Sequence, residues 1–214
     1  MIALASAYKQ ALVAVEIDGK RAFRTLEANC KHSENLLPCL DEALEEIDST
    51  IAQNDYYCVV IGPGSFTGLR IASALVKGLL AGQAQENVLQ VTTFDLMAYS
   101  YIKNFQPKDN FVCVINGLSG YYFVCEYDKN GNKVGKEQMI EKTAFEIISL
   151  QKVSLAEENL GGEKIMPSVE ELLSLAKEKI NEEKLVSAAE IVPLYLRKSQ
   201  AEDSLAEKEK NSKI

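Results

Sequence analysis

The stretch Ile61 to Gly82, "IGPGSFTGLRIASALVKGLLAG", constrains this chain more than any other. A short β-branched run, "YYCVVIG", passes through a glycine-rich turn into a helix whose charges are Arg70 and Lys77. The spacing of Gly62, Gly64 and Gly68 is GxGxxxG, one residue off the dinucleotide fingerprint, and no GK[ST] follows it. It is a weak phosphate signal. The structural alternative is that Gly62 and Gly64, flanking Pro63, permit a sharp strand-to-helix turn, while Gly68 lets the helix press against neighbouring backbone. Ser65 or Thr67 would then cap the helix.

The helix, read as 66 to 82, is apolar nearly all round and needs cover on more than one side. Ile71, Leu75 and Leu79 are expected to face the chain's own sheet. Leu69, Ala72, Ser73, Val76 and Leu80 then need a second cover. The residues leave two covers open, a helix predicted over 35 to 48 and a protein partner.

The rest of the chain limits the classes available. Its 214 residues suffice for one large domain or two small ones, and the 47% apolar and 25% charged fractions are those of an ordinary globular protein. With 31 acidic against 23 basic residues the net charge is -8, which disfavours nucleic-acid binding by this chain alone. The N-terminus lacks a basic region ahead of an apolar run, and the uncharged run Tyr56 to Leu69 is too short to cross a bilayer. Five cysteines without CxxC spacing read as small buried apolar side chains in a reducing compartment, so a cytoplasmic location is expected.

Organisation follows from periodicity. "IALASA", "ALVAVEI" and "AFRTLEA" form a meander, with Asp18-Gly19 as a two-residue hairpin turn. In helix 35 to 48, Leu36, Leu37, Leu40, Leu44 and Ile47 recur at helical spacing. Pro38 favours a start late enough to place it in the first turn, with Ser33 or Asn35 as cap. "VLQVTT" reads as a strand, and Thr92 or Thr93 caps the helix "FDLMAYSYIK". A second meander, "FVCVIN", "GYYFVCEYD" and "KVGKEQMI", is followed by the helices "TAFEIISL" and "SVEELLSLAKEKINEEK". Two meander-plus-helix halves suggest an internal duplication within an α/β fold. Residues 1–104 and 105–200 are the expected lobes, and the charged segment 201–214 is expected to be disordered.

Chemistry-bearing residues are sparse. His32 is the single histidine, so histidine-pair metal sites are excluded and a Ser-His set is confined to it; a role at a helix end is expected. The acidic residues concentrate at 41 to 48 and 170 to 183, as on solvated helix faces.

"GPGSFTGLRI" at Gly62 to Ile71, "HSENLLP" at His32 to Pro38 and "VPLYLR" at Val192 to Arg197 together resemble the bacterial TsaB (YeaZ) family, in element order over most of the chain. The resemblance implies an actin-like ATPase (ASKHA) fold in two duplicated lobes and a role in making threonylcarbamoyladenosine in tRNA. It implies a non-catalytic scaffold that binds and activates the related TsaD transferase subunit. TsaD carries the metal, the nucleotide and the transfer chemistry, and TsaE is the ATPase partner. No catalytic residue, metal or cofactor is implied here, and tRNA is met only through the complex.

The family's dimers use the first two helices of the N-terminal lobe. The resemblance therefore implies Leu36, Leu40, Leu44, Leu69, Ala72, Ser73, Val76 and Leu80 as interface residues. It implies Gly62, Pro63, Gly64, Ser65, Phe66, Thr67, Gly68 and Arg70 as the turn leading into the interface helix. Two departures stand out: Ala5-Ser6-Ala7 where the family has Asp-Thr-Ser, and Asn116-Gly117-Leu118 where it has Asp-Ala-Arg. Active members of the class place metal-holding carboxylates at both points, and their loss strengthens the non-enzyme reading. The alternatives are a peptidase-like or ATP-dependent enzyme on the same fold, and a free-standing homodimer.

Overall fold

Asp18 and Gly19 both adopt positive φ, 51° and 78°, the two left-handed residues that a hairpin turn matching strand twist requires. They join β2 (Ala11–Ile17) to β3 (Lys20–Leu26), and β2 also pairs antiparallel with β1 (Ile2–Ala5). β4 (Tyr57–Val60) pairs parallel with β1, and β5 (Val88–Val91) parallel with β4. This computed structural model describes residues 1–82 and 87–196; the expected tail at 201–214 and the motif residue Arg197 lie outside the described residues.

The first sheet has the order β3-β2-β1-β4-β5. A second sheet is built from β6 (Phe111–Asn116), β7 (Tyr121–Tyr127), β8 (Gln138–Glu141), β9 (Gln151–Leu155) and β10 (Glu163–Ile165). Its order is β8-β7-β6-β9-β10, an antiparallel meander followed by two parallel strands, the plan of the first sheet repeated. The two halves are thus a structural duplication, as the two meanders suggest.

All four residues of β1 and of β4 are buried, without the alternation of a half-exposed strand, because helices cover both faces of the first sheet. On its outer face lie α1 (His32–Glu46) and α2 (Phe66–Leu79), packing Leu36, Leu40 and Leu44 with Ala72, Val76 and Leu80 over Ile2, Leu4, Val13 and Val59. Between the sheets lie α3 (Thr93–Phe105) and α5 (Val169–Lys179), whose Phe94, Met97, Leu172 and Leu175 join side chains of both sheets in the largest core. The short α4 (Lys142–Glu146) covers part of the outer face of the second sheet. Of the five cysteines, Cys39, Cys58, Cys113 and Cys125 are buried, while Cys30 is exposed, contrary to its expected burial.

Several expected elements differ. α1 begins at His32 with Lys31 as N-cap and no side-chain cap, so Pro38 falls inside the helix rather than in its first turn. The missing Pro38 amide leaves the Glu34 carbonyl without its helical donor, and both residues are exposed, so water can satisfy it. α2 ends at Leu79, α4 covers only the start of "TAFEIISL", and β8 begins at Gln138, where the strand was expected from Lys133. β9 and β10 have no counterpart in the sequence reading. They are short, and β10 has a single buried residue, so neither shows a hydrophobic period.

Beyond the apolar core that the lobes share, two sets of contacts between them stand out. The first is a polar clasp: Asp95 on α3, nine-tenths buried, accepts hydrogen bonds from the Tyr127 hydroxyl at 2.9 Å and from the Thr92 amide and hydroxyl at 2.8 and 2.7 Å. Lys133 reaches the same carboxylate at 3.3 Å and Glu137 at 2.6 Å. Burial opposes the charge on Asp95, but Lys133 and the two Thr92 donors outweigh it and lower its pKa. The second join is the return of the chain after α5. Val186 forms a bridge with Val88, the Val192 amide donates to Gln90 Oε1 at 3.2 Å, and the Leu194 amide donates to the Ile61 carbonyl at 2.7 Å. The last described residues of the expected C-terminal lobe therefore lie on the first sheet.

Removing Asp95 leaves the buried Tyr127 hydroxyl without its acceptor and breaks the Thr92 capping box, while Lys133 keeps Glu137; an unsatisfied buried donor and a lost cap together cost about 2–4 kcal/mol. Asp95→Ala is expected to lower the thermal midpoint by roughly 10 °C near neutral pH. Because the folded pKa lies below the unfolded 3.8, the Asp95 contribution is present above that value and lost as pH falls through the folded pKa. Denaturant titrations between pH 7 and 3 should show the wild type and variant converging at the acid end.

Candidate functional site

Between the two lobes opens a cleft of about 1110 Å³, walled by the β1–β2 turn, the start of α1, the glycine turn, the β6–β7 turn and the residues after β9. Its floor is the contact of the glycine turn with the end of β1. The Ser65 amide donates to the Ala7 carbonyl at 2.6 Å, and Ser65 caps α2 by accepting the Gly68 amide at 3.2 Å. A Cβ on Gly64 would sit 2.1 Å from the Ala7 carbonyl oxygen, and one on Gly68 1.8 Å from that of Ser6. Only a residue without a side chain lets the backbones meet so closely. Gly62 has φ 115°, and its carbonyl accepts the Thr93 amide at 2.8 Å at the start of α3. Gly62, Pro63, Gly64, Ser65, Phe66, Thr67 and Gly68 therefore form one turn docked on β1, whose demand for glycine is met by close packing. Arg70 points outward, its guanidinium 4.2 Å from the centre of the Phe66 ring and 3.3 Å from the Tyr195 hydroxyl.

The expected interface residues are not at the surface. Leu36, Leu40, Leu44, Leu69, Ala72, Ser73, Val76 and Leu80 are all at most 5% exposed within this chain. Leu69 belongs to the core between the lobes, and its apolar companions pack α1 and α2 on the first sheet. The two sides of α2 are thus inverted relative to the sequence expectation. Ile71, Leu75 and Leu79 lie at the half-buried margin, and Thr67, Arg70, Ala74 and Gly78 are exposed. The charges mark the outward side: Arg70 and Lys77, seven residues apart, are exposed with Ala74 and Gly78, while Leu69, Ala72, Ser73, Val76 and Leu80 recur at helical spacing on the buried side. The outward surface of the pair is set by Thr67, Ile71, Ala74, Leu75 and Gly78 on α2 with Leu37 on α1, which is 45% exposed. A Cβ on Gly78 would meet open space.

His32 bridges two elements at the cleft. Its Nδ1 lies 2.8 Å from Ser6 Oγ and its Nε2 3.1 Å from the Lys9 carbonyl oxygen. Nε2 must donate to that carbonyl, so in the neutral ring Ser6 donates to Nδ1. Ser6 is wholly buried beneath α2 and no carboxylate orients the ring, so the pair lacks the exposed nucleophile and third group of a hydrolytic triad. Opposite, Glu157 Oε1 accepts the Lys9 amide at 3.3 Å and Glu158 Oε1 accepts the Asn116 amide at 2.9 Å. Burial, with the like charge of Glu157 adding to it, pushes Glu158 up to about 7. Asn116 Oδ1 accepts the Leu118 amide at 2.9 Å. Neither departure from the family pattern thus offers a carboxylate to the cleft, and among the described residues no group of three or more His, Cys, Asp or Glu could hold a metal ion. The donor set does not fit a metal-nucleotide pair.

A duplicated α/β protein with this cleft belongs to the actin-like class. A family model, "TsaD: tRNA N6-adenosine threonylcarbamoyltransferase", matches residues 26–166. The chain is 26% identical over 202 residues to the tRNA threonylcarbamoyladenosine biosynthesis protein TsaB of Escherichia coli K12, covering 84% of this chain and 86% of the relative. It is 24% identical over 224 residues to the protein of that name from Haemophilus influenzae, covering 92% and 93%. YeaZ from Pseudomonas aeruginosa has the same fold, with TM-score 0.75 and 21% identity over 91% of this chain and 98% of that one. A second solved structure, described as an uncharacterized protein with similarity to peptidase YEAZ from Pseudomonas aeruginosa, gives TM-score 0.75 and 22% identity over 92% and 98%. The chain belongs to the family that this model describes, and its curated relatives and the YeaZ structures support the TsaB (YeaZ) family. No helix among the described residues is long and apolar enough to cross a membrane.

Two substitutions test this geometry. Gly68→Ala drives a methyl group into the Ser6 carbonyl and is expected to cost at least about 1–3 kcal/mol, read as a lowered denaturation midpoint. Ala72→Arg buries an unpaired charge in the core and should collapse the fold, giving an unfolded circular dichroism spectrum or insoluble protein.

Proposed function

We propose that this chain is a non-catalytic scaffold subunit that binds and activates a TsaD-type transferase in threonylcarbamoyladenosine modification of tRNA. Family membership supports the pathway, since the curated relatives carry that biosynthetic role in their names. The observation that carries the scaffold reading is the outward face of α1 and α2. It joins apolar Leu37, Ile71 and Leu75 to Ala74 and Gly78, small residues that let a partner helix approach closely. The cleft supports the same reading, because Ala5-Ser6-Ala7 and Asn116-Gly117-Leu118 supply none of the carboxylates that metal-nucleotide chemistry uses. A homologous surface can accept a second copy of this chain when the transferase is absent. The TsaE-type ATPase and tRNA join through the complex, tRNA weakly or not at all with this chain alone given its charge of -8.

The test is Ala74→Arg, measured by calorimetric titration against the transferase subunit of the same organism. A desolvated unpaired charge at the centre of a helix–helix contact costs several kcal/mol, so association should fall at least about 100-fold. The thermal midpoint should stay within about 2 °C of wild type, because Ala74 is exposed in the isolated chain. Unchanged affinity would remove α2 from the interface. Metal-dependent ATP hydrolysis by the purified chain would overturn the non-catalytic role.

A further inference from the structure

The segment "VPLYLR" returns to the glycine turn and sets Tyr195 beside the outward start of α2. The Leu194 amide, bonded to the Ile61 carbonyl, holds it there, and the Tyr195 and Phe66 ring centres lie 5.0 Å apart. Arg70 follows Phe66 by four residues and lays its guanidinium 4.2 Å from the centre of that ring. Its Nε donates to the Tyr195 hydroxyl at 3.3 Å. All three side chains are exposed, Phe66 by 39% and Tyr195 by 41%, so burial of apolar surface does not account for the arrangement. What the two rings do is hold the plane of a cation. Phe66 covers one face of the guanidinium, and the Tyr195 hydroxyl occupies Nε. The terminal nitrogens, Nη1 and Nη2, meet no acceptor among the described residues, and no carboxylate there pairs with Arg70. The edge they form is a two-pronged donor that matches a carboxylate or a phosphate. Its orientation is settled before a ligand arrives, which lowers the ordering cost of binding.

We infer that Arg70 is a preorganised receptor for a carboxylate of the transferase subunit, with Phe66 and Tyr195 as its positioning residues. The inference rests on the proposed α1–α2 interface and adds the chemistry of the group that docks there. Arg70 lies one turn from Ala74 on the outward side of α2, so a helix packed over Ala74 passes the fork within reach of a side chain. Charge selects the carboxylate over the phosphate. Binding along a phosphate backbone asks for several cations in series, whereas α1 sets Asp41 and Glu45 across from the α2 cations Arg70 and Lys77. Both acids are exposed and outside any ion pair among the described residues. They repel a polyanion along its length, while one carboxylate engages Arg70 alone. Two parallel N–H···O bonds admit a single orientation, so closure of the fork fixes the register of the partner helix on α2. A lysine offers a point charge there, with no plane to lie on Phe66 and no second prong.

The test is calorimetric titration of the purified chain with the transferase subunit of the same organism, arranged as a double-mutant cycle on Arg70 and Tyr195. Arg70→Ala is expected to lower association at least about 30-fold, and Arg70→Lys to stay at least about 10-fold below wild type. Tyr195→Phe keeps the ring and removes the hydroxyl, which should cost about 3- to 10-fold in the wild-type background. In the Arg70→Ala background it should cost nothing, since Tyr195 acts through Arg70. Thermal midpoints should stay within about 2 °C of wild type, because both residues are exposed. Ala74→Arg separates the receptor from the interface it rests on. Lost association in Ala74→Arg with wild-type affinity in Arg70→Ala overturns the receptor and leaves the interface standing; wild-type affinity in both overturns the two together. Wild-type affinity in Arg70→Lys, or equal losses from Tyr195→Phe in both backgrounds, overturns the fork. A tRNA gel shift by the isolated chain that Arg70→Ala abolishes, with transferase affinity unchanged, assigns the site to phosphate and overturns the carboxylate.

Discussion

The contact on which most of this molecule depends is made by atoms that are missing. Where Gly64 and Gly68 meet the carbonyls of Ala7 and Ser6, no side chain intervenes, and α2 is held at hydrogen-bonding distance from the end of β1. That contact fixes the height of α2 over the first sheet, so that Ala72 and Val76 fill the core and Ala74 and Gly78 face outward. The same contact forms the cleft floor and buries Ser6 under the helix, which removes its hydroxyl from chemistry and assigns it to His32. One backbone approach therefore determines both the outward helix face and the floor of the cleft.

A second constraint is polar. The surface between the lobes is mostly apolar, and apolar contacts alone leave the relative setting of two sheets loosely specified. Asp95 supplies direction: its two oxygens take four donors from Thr92, Tyr127 and Lys133, and few relative positions of the lobes satisfy all of them. Burial drives the Tyr127 hydroxyl far above its ordinary pKa, with Asp95 adding to the shift, so it remains a donor at every physiological pH.

The sequence conveyed the meanders, the hairpin at Asp18-Gly19 and the cap at Thr92 because each rests on local chemistry, a left-handed turn or an oxygen beside unbonded amides. It conveyed the role of Gly68 for the same reason, since a glycine inside a helix costs stability unless something approaches it. What was lost depends on distance in the chain. β9 and β10 are strands because β6 offers an edge, a fact absent from their own residues. The facing of α2 was signalled by Arg70 and Lys77, which share the outward side with Ala74, but the many small and apolar residues beside them obscured it, and what covers Ala72 is a sheet and a helix contributed by other segments. Glu158 was equally silent, one glutamate among many until the fold surrounds it.

The return of residues 186–194 to the first sheet closes the chain on itself. Ile61, Val88 and Gln90 wait for partners roughly a hundred residues further on. During synthesis the first lobe cannot reach its final state when its own sheet has been translated; it must persist with an unfinished edge until nearly the whole second lobe has left the ribosome. Such late closure raises contact order and makes the two lobes a single cooperative unit rather than two modules joined in series. The duplication stays visible in the repeated strand order, while the returning segment ties its two halves together.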